Sequence, residues 1–383
     1  MQNFNLTIPP YAAAAIEKLN SSGFEACVVG GCVRDTLIGR KPGDWDICTS
    51  ALPWQTREVF RQDFHVIETG IKHGTVTVVS DGQPLEITTY RTEGNYTDHR
   101  RPDSVTFVSD IREDLSRRDF TVNAMAYSQT TGLIDLFGGQ TDLQNRIIRC
   151  VGDPEKRFGE DALRILRALR FAAVLDFEIE PKTAAAVHKM CGLLENIAVE
   201  RIFIELKKLL SAPASRRIVS EFSDVVAAAA GQHPQIQATG SNHSTAVAFC
   251  LHFSNASDVL NRLKAPKALI ASAAALQSAK EPETLPKALA LMGKLGEDDF
   301  RNLIEYYDAL GVSTELLRRA QASGIPCRIS QLDITGKDLA DLGISPGPAM
   351  GRVLNALLDA VMEGRLENKK SALLGAAEHI FGS

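Results

Sequence analysis

The chain has 383 residues, too many for one ordinary hydrophobic core, so about two to four folded units are expected. Hydrophobic residues make up 44% and charged residues 23%, the balance of a folded soluble protein rather than a disordered one. The net charge of −5 taken alone argues against a nucleic-acid partner, but that is an argument about averages, which local basic clusters can outweigh.

No apolar run reaches the ~18 residues of a membrane span, and the start, MQNFNLTIPP, lacks the basic region of a signal peptide, so the cytoplasm is expected. The seven cysteines (Cys27, Cys32, Cys48, Cys150, Cys191, Cys250 and Cys327) include no CxxC pair, which points to reduced, mostly buried side chains rather than disulfides or zinc. The eight histidines show no metal-ligand spacing.

Residues 9–22 read as a helix, entered at Pro9 and Pro10 and stopped by Ser21, Ser22 and Gly23. The apolar run Ala26 to Val29 reads as a strand that meets Gly30 and Gly31. A short amphipathic segment carrying Arg34 and Asp35 follows, and then Asp44 and Asp46 on a second strand. On a strand, side chains two apart share a face, so this pair presents two carboxylates together. Two hard-oxygen ligands at that spacing suit Mg²⁺ carrying a nucleoside triphosphate. Gly30 and Gly31, without Cβ atoms, let the backbone approach a phosphate, and Arg34 adds charge-assisted bonds. Singly, each piece has a plainer reading: a Gly-Gly pair is commonly a turn, and Asp-x-Asp a solvated loop or cap.

Pro53 to Arg61 reads as a helix with Trp54 and Phe60 on one side, and Thr75 to Ser80 and Leu85 to Tyr90 read as strands. Glu86, Thr88 and Tyr90 share one face of the second. Glu86 is a third carboxylate if that face borders the Asp pair, and an edge-strand residue in solvent otherwise. Residues 91–116 form a long polar loop, punctuated by Gly94 and Pro102, of the kind that is functional or disordered. Arg117 and Arg118 then precede an apolar run with Asp119 placed to cap a helix. The sharper reading makes this segment a pocket wall, with Arg118 on phosphate and Asn123 near the sugar. LIDLFGG, residues 133–139, ends a domain at a double glycine.

Residues 157–175 read as one helix, with Ala162, Ile165, Leu166, Leu169 and Ala173 on a core-facing arc. Asp161, Arg164, Arg167 and Arg170 fan across the other half, a solvated basic face being the plain alternative. Residues 199–210 form a further amphipathic helix, and Lys207, Lys208, Arg216 and Arg217 make a basic group. Beyond about residue 213 the chain turns Ala-rich, with a helix end and polar connection over 225–244 and helices over 259–277, 286–311 and 313–322. DITGKD at 333–338, a helix from about Ala349 to Gly364 and a last helix after LENKK close the chain. Gly336 and Lys337 fit either a helix start meeting phosphate or a plain cap.

Four segments stand in order: Gly-Gly-x-Val-Arg-Asp at 30–35 leading to Asp-x-Asp at 44–46, Arg-Arg-Asp-x-Thr-x-Asn-Ala-Met-Ala at 117–126, Glu-Asp-x-x-Arg-x-x-Arg at 160–167, and VERIFIELKKLL at 199–210. Together they resemble the class II CCA-adding tRNA nucleotidyltransferase and poly(A) polymerase family of the polymerase beta-like superfamily. The resemblance covers residues 24–210 and, more loosely, 328–372. It implies an α+β nucleotidyltransferase head, a mixed sheet with helices, over 1–148. An all-α remainder follows: a neck with a nucleotide-templating helix (149–212), a body (213–312) and a tRNA-binding tail (313–383).

The resemblance further implies Mg²⁺ on Asp44 and Asp46, which with Glu86 form the catalytic set. Nucleotide binding falls to Gly30, Gly31, Arg34, Arg118, Asp119, Asn123, Asp161, Arg164, Arg167 and Arg170. The implied substrates are tRNA, CTP and ATP, the tRNA 3′-hydroxyl attacking the α-phosphate to build CCA. If Asp161 and Arg164 face a base edge, the carboxylate accepts from an exocyclic amine and the guanidinium donates to a ring nitrogen or carbonyl, which suits C and A and mismatches U and G. Accepting adenine after cytosine requires the pocket to be reshaped, and Thr92 to Asp103 is expected to act as the lever, with a passive surface loop as the plainer reading. A poly(A) polymerase, a CC-adding or an A-adding enzyme shares most of these residues. A non-catalytic RNA-binding protein would not need the intact Asp pair, nor a small-molecule nucleotidyltransferase the long helical extension.

Overall fold

The computed structural model describes residues 6–94, 105–235 and 243–382, and the chain divides into two units, Met1–His233 and Pro234–Ser383. The first unit begins with α1 (Pro10–Ser21), β1 (Ala26–Val29), α2 (Gly31–Leu37), β2 (Ile47–Thr49), α3 (Pro53–Phe60), β3 (His65–Ile67), β4 (Thr75–Ser80), β5 (Gln83–Thr89), β6 (Arg91–Glu93) and β7 (Val105–Phe107). It continues with α4 (Ile111–Ser116), β8 (Met125–Ser128), β9 (Gly132–Asp135) and α5 (Gly139–Gln144). Seven strands form one mixed sheet in the order β3-β4-β5-β2-β1-β8-β9. The β2–β5 pair is parallel and the other neighbours are antiparallel.

Burial follows sequence pattern. The central strands β1, β2 and β8 are covered on both faces and read as continuous small or apolar runs. β4 alternates, with Val76 and Val78 fully buried, each worth about 1.5–3 kcal/mol of transfer free energy. α1 turns Ala12, Ala15, Ile16 and Leu19 onto this core at helical spacing.

Several expectations are corrected here. Phe60 of α3 is fully buried while Trp54 is 51% exposed, because six residues of helix separate them by well over a quarter turn. Trp54 instead meets the edge of Phe107, at 6.5 Å between ring centroids. The described ends of the 91–116 loop are structured: β6 and β7 pair, Arg91 with Phe107 through Glu93 with Val105, and α4 is capped by the Asp110 carboxylate. The proposed lever, Thr92 to Asp103, falls largely outside the described residues, its Arg100 and Arg101 entirely so.

No helix follows Arg118. A 3₁₀ turn at Thr121–Asn123 leads into β8, and Asp119 is drawn sideways to other partners. The double glycine does not end the unit, since α5 starts at Gly139 and packs on that turn. A Cβ at Gly139 would lie 2.3 Å from the Thr121 carbonyl oxygen, so only glycine permits the approach.

The rest of the unit is helical apart from a short parallel pair, β10 (Ile147–Ile148) with β11 (Glu178–Ile179). Its helices are α6 (Pro154–Glu160), α7 (Leu163–Leu175), α8 (Pro181–Met190), α9 (Val199–Leu210), α10 (Ser215–Glu221) and α11 (Ser223–Ala230). The helix expected over 157–175 is thus two, broken where Asp161 takes an extended backbone (φ −133°, ψ 103°). The core arc of Ala162, Ile165, Leu166, Leu169 and Ala173 is fully buried as expected.

The second unit contains α12 (Thr245–His252), α13 (Ala256–Arg262), α14 (Lys267–Ser278), α15 (Leu285–Leu295), α16 (Glu297–Leu310), α17 (Glu315–Ala322), α18 (Gly336–Asp341), α19 (Pro348–Met362) and α20 (Lys370–Gly382). The run 259–277 is divided near Lys264 (φ 51°) and Pro266, and 286–311 at Gly296 (φ 83°), both unfit for helix continuation. The start of α18 is closed by a Thr335–Asp338 capping box. Six of the seven cysteines are buried and the seventh, Cys191, is half-buried.

Candidate active site

β1 ends by pairing to both sides: the Val29 N–H donates to the Asp46 carbonyl (3.0 Å) and the Gly30 N–H to the Met125 carbonyl (3.0 Å). Gly30 then turns with φ +80°, and a Cβ there would meet Arg118 Nη1 at 3.0 Å. Gly31 opens α2, which returns Arg34 to the same place. Asp44 and Asp46 lie in the segment before β2 rather than inside the strand, which starts at Ile47. The sheet nonetheless positions Asp46, since its carbonyl continues the pairing of β1.

Because Ile47 pairs in parallel with Ile87, Asp46 stands beside Glu86. Glu86 is exposed, borders the Asp pair electrostatically, and does not line the cavity described below. The surrounding protein, then Asp44 and Glu86, push the Asp46 carboxyl up to about 6, with Arg118 opposing.

A cavity of about 640 Å³ opens here. Gly30, Gly31, Arg34, Asp44, Asp46, Arg118, Asp119, Asn123, Asp161, Arg164, Arg167 and Arg170 all line it, together with Arg117, Leu163, Phe171, Arg201 and Lys208. Every expected site residue except Glu86 is therefore brought together. Among the described residues, eight cationic side chains against four carboxylates make the wall positive, reversing the sign of the whole chain and suiting a polyanion.

Arg117 and Arg118 are held by buried Asp114, with Arg117 Nη2 at 2.9 Å and Arg118 Nη2 at 3.3 Å. Burial alone would raise the Asp114 carboxyl, but the two guanidinium groups hold it below the usual range. The buried Nε of Arg118 has no hydrogen-bond partner among the described residues.

Asp119 is satisfied from three sides. Its Oδ1 accepts from the Phe120 N–H (2.8 Å) and from Asn123 Nδ2 (3.1 Å), and its Oδ2 accepts from Arg167 Nε (2.8 Å). Asn123 Oδ1 in turn accepts from Arg34 Nη1 (2.6 Å). This chain ties α2, the 3₁₀ turn and α7 across the cavity floor. Burial would raise the Asp119 carboxyl, yet Arg167 and Asn123 bring it down to about 2.

The break between α6 and α7 aims Asp161 into the cavity instead of along a helix face. Its Oδ1 accepts from the Leu163 N–H (3.1 Å), and its Oδ2 lies 3.3 Å from Arg201 Nη2 of α9. One turn on, Arg164 donates to Glu160 (2.9 Å) and to the Arg117 carbonyl (3.0 Å). Arg170 pairs with Glu205 of α9 at 3.1 Å. Arg201 and Lys208, seven apart on α9, were the basic residues whose cavity position the sequence concealed, and Phe171 hid inside an apolar stretch.

Three family models match the chain. The model described as poly A polymerase head domain covers residues 26–149, that described as "Probable RNA and SrmB- binding site of polymerase A" covers 176–224, and that described as "tRNA nucleotidyltransferase domain 2 putative" covers 238–377. The chain is 39% identical to a CCA-adding enzyme of Limosilactobacillus fermentum, covering 97% of this chain and 96% of that protein. It is 38% identical to one of Streptococcus suis, covering 95% and 94%. Among solved structures, the Bacillus stearothermophilus CCA-adding enzyme in complex with CTP superposes with a TM-score of 0.78 at 33% identity, covering 98% of each chain. A Thermotoga maritima CCA-adding enzyme complexed with tRNA shares the fold at a TM-score of 0.66 and 20% identity, covering 97% and 96%.

Proposed function

This chain belongs to the CCA-adding enzyme family, and from that premise we propose that it adds the 3′-terminal CCA to tRNA, using CTP and ATP without a nucleic-acid template. The observation that carries this reading is a single positive cavity joining the Asp44–Asp46 pair to the Asp161–Arg164 pair. One end can hold a triphosphate at a reacting centre, and the other can read a base edge.

Asp44 and Asp46, with Glu86 beside them, fit a divalent cation: hard oxygen donors of like charge stand together, and burial, then Asp44 and Glu86, raises the Asp46 carboxyl. Mg²⁺ commonly takes one or two carboxylates and completes its shell with phosphates and water, which suits the Asp44–Asp46 pair. When bound, Mg²⁺ supplies polarisation of the α-phosphate and a lowered pKa for the attacking 3′-hydroxyl.

The chain's own residues do the rest. Gly30 and Gly31 admit phosphate close to the backbone, and Arg118, with its unpartnered Nε, neutralises charge developing toward pyrophosphate. Asn123, fixed between Arg34 and Asp119, faces the sugar. Asp161 accepts from the exocyclic amine of cytosine or adenine while Arg164 donates beside it, so uracil and guanine each leave a mismatched pair. The tail expected at 313–383, within the helical second unit, supplies the tRNA contacts, and the cytoplasm is where that substrate is found.

The test is a tRNA transcript ending before CCA, incubated with each nucleotide alone and in pairs. CTP alone extends it by two residues, ATP follows only on a CC end, and UTP and GTP give no product. Long A tracts with ATP alone would make the chain a poly(A) polymerase, and CC ends that never accept ATP would make it a CC-adding enzyme.

A further inference from the structure

Phe171 is the one aromatic ring lining the cavity among the described residues, and it has an unusual surround. The guanidinium carbon of Arg170 lies 4.1 Å from its centroid, that of Arg34 5.1 Å and that of Arg167 5.3 Å. All three are within the ~6 Å reach of a cation–π contact. They come from two distant segments, α2 and α7, and converge on one ring. The ring itself is fixed edge-on against buried Phe120, with centroids 5.8 Å apart and an interplanar angle of 77°.

Three like charges so close repel one another; the Arg170 guanidinium is pushed below its usual range chiefly by burial, with Arg167 and Arg34 adding to it and Glu205 and Asp119 opposing. Each cation does have a carboxylate partner: Asp35 for Arg34, Asp119 for Arg167 and Glu205 for Arg170. Those partners belong to three different segments and each pairs with one of the cations, whereas the ring contacts all three. The π-face attracts all three without donating a negative charge that would cancel them.

We propose that Phe171 is a positioning residue that gathers Arg34, Arg167 and Arg170 into one preformed polyphosphate-binding cluster, acting equally on CTP and ATP because it holds the phosphate-facing cations and not the base. The inference rests on the nucleotidyltransferase reading above. It differs from it in placing affinity for the phosphate chain, rather than base choice or the chemical step, under the control of an uncharged side chain.

The probe is inorganic tripolyphosphate, titrated calorimetrically into the full chain without tRNA, beside steady-state kinetics with CTP and ATP. Phe171→Leu keeps an apolar side chain and removes the π-face. It is expected to weaken tripolyphosphate binding about tenfold, to raise KM for CTP and ATP by the same factor, and to leave kcat and the C-over-U preference within about twofold. Phe171→Tyr restores both affinities.

Unchanged tripolyphosphate affinity in Phe171→Leu overturns the proposal. So does a changed C-over-U preference, which would place the ring against the base. A Leu variant that loses affinity and melting temperature together, without rescue by Tyr, also overturns it, since the ring would then be only a packing element. If the wild type binds tripolyphosphate but adds no CCA, the functional reading fails while the cluster stands.

Discussion

Replacing Asp161 by Asn separates base reading from folding. Asp161 Oδ1 accepts from the Leu163 N–H at 3.1 Å, a bond that steadies the start of α7 and that an amide oxygen can keep. The substitution therefore alters mainly the second atom, Oδ2, which stands 3.3 Å from Arg201. Acceptor becomes donor at the position proposed to face an exocyclic amine. For cytosine, one matched contact is lost and two donors oppose each other; for uracil, O4 gains a donor. At about 1–3 kcal/mol for the lost contact and about 1 for the gained one, the C-over-U preference should fall by about 2–4 kcal/mol, or roughly 30- to 1,000-fold. The assay is kcat/KM for single addition of CTP and of UTP to a transcript lacking CCA, with circular dichroism to check the fold. An unchanged ratio in a folded, active Asp161→Asn enzyme would refute the argument and place base reading elsewhere in the cavity.

Three further outcomes are expected. Asp44→Ala and Asp46→Ala each abolish incorporation of both C and A while tRNA still binds in a gel-shift assay; binding lost with activity would indicate misfolding instead. Gly30→Ala places a Cβ 3.0 Å from Arg118 Nη1 at a backbone φ of +80°, so its melting temperature should fall, reflecting about 1–3 kcal/mol of strain, and its KM for nucleotide should rise; an unperturbed variant would show that the turn relaxes freely. Asp119, depressed from 3.8 to about 2 in the folded chain, contributes stability that is present above pH 4 and lost as pH falls through 2, about 2 kcal/mol in all; urea unfolding between pH 2 and 5 should show that slope in the wild type and not in Asp119→Asn.

The site was far more legible than the elements that carry it. Gly30, Arg118, Asn123 and Arg164 are polar or conformationally special residues within short signatures, and their chemistry can be read without knowing the fold. Local geometry was harder, because it depends on partners. Asp119 was well placed to cap a helix, but Arg167, forty-eight positions away, draws its carboxylate across the cavity and a 3₁₀ turn forms instead. The helix of 157–175 has an unbroken apolar arc, yet Asp161 breaks it by accepting from the Leu163 N–H, a local competition with helix hydrogen bonding that periodicity does not register. Gly139 looked like a terminus because the Thr121 carbonyl that demands a glycine is eighteen residues upstream. In the second unit the helices are ordinary Ala- and Leu-rich amphipathic segments. Their sequence says helix and little more, and apart from the likeness over 328–372 the relation to known relatives across 238–377 appeared only on comparison.

The carboxylates of the cavity divide by environment rather than by type. Asp46 and Asp119 are the same side chain, and burial disfavours the anion at both. At Asp119 burial is overcome by Arg167 and two N–H donors, which leave the anion saturated and its carboxyl at about 2. At Asp46 the next contributors are two more carboxylates, with only Arg118 opposing, so the carboxyl rises to about 6. A saturated anion has no lone pairs to offer and serves the architecture, tying α7 to the turn that presents Asn123. A crowded, under-compensated one is stabilised by whatever cation arrives with the substrate, and therefore suits a site that must be occupied only while a nucleotide is bound. Each aspartate lies in a family signature, and the counter-charge that α7 supplies to Asp119 and withholds from Asp46 separates a saturated carboxylate from one left open to a cation.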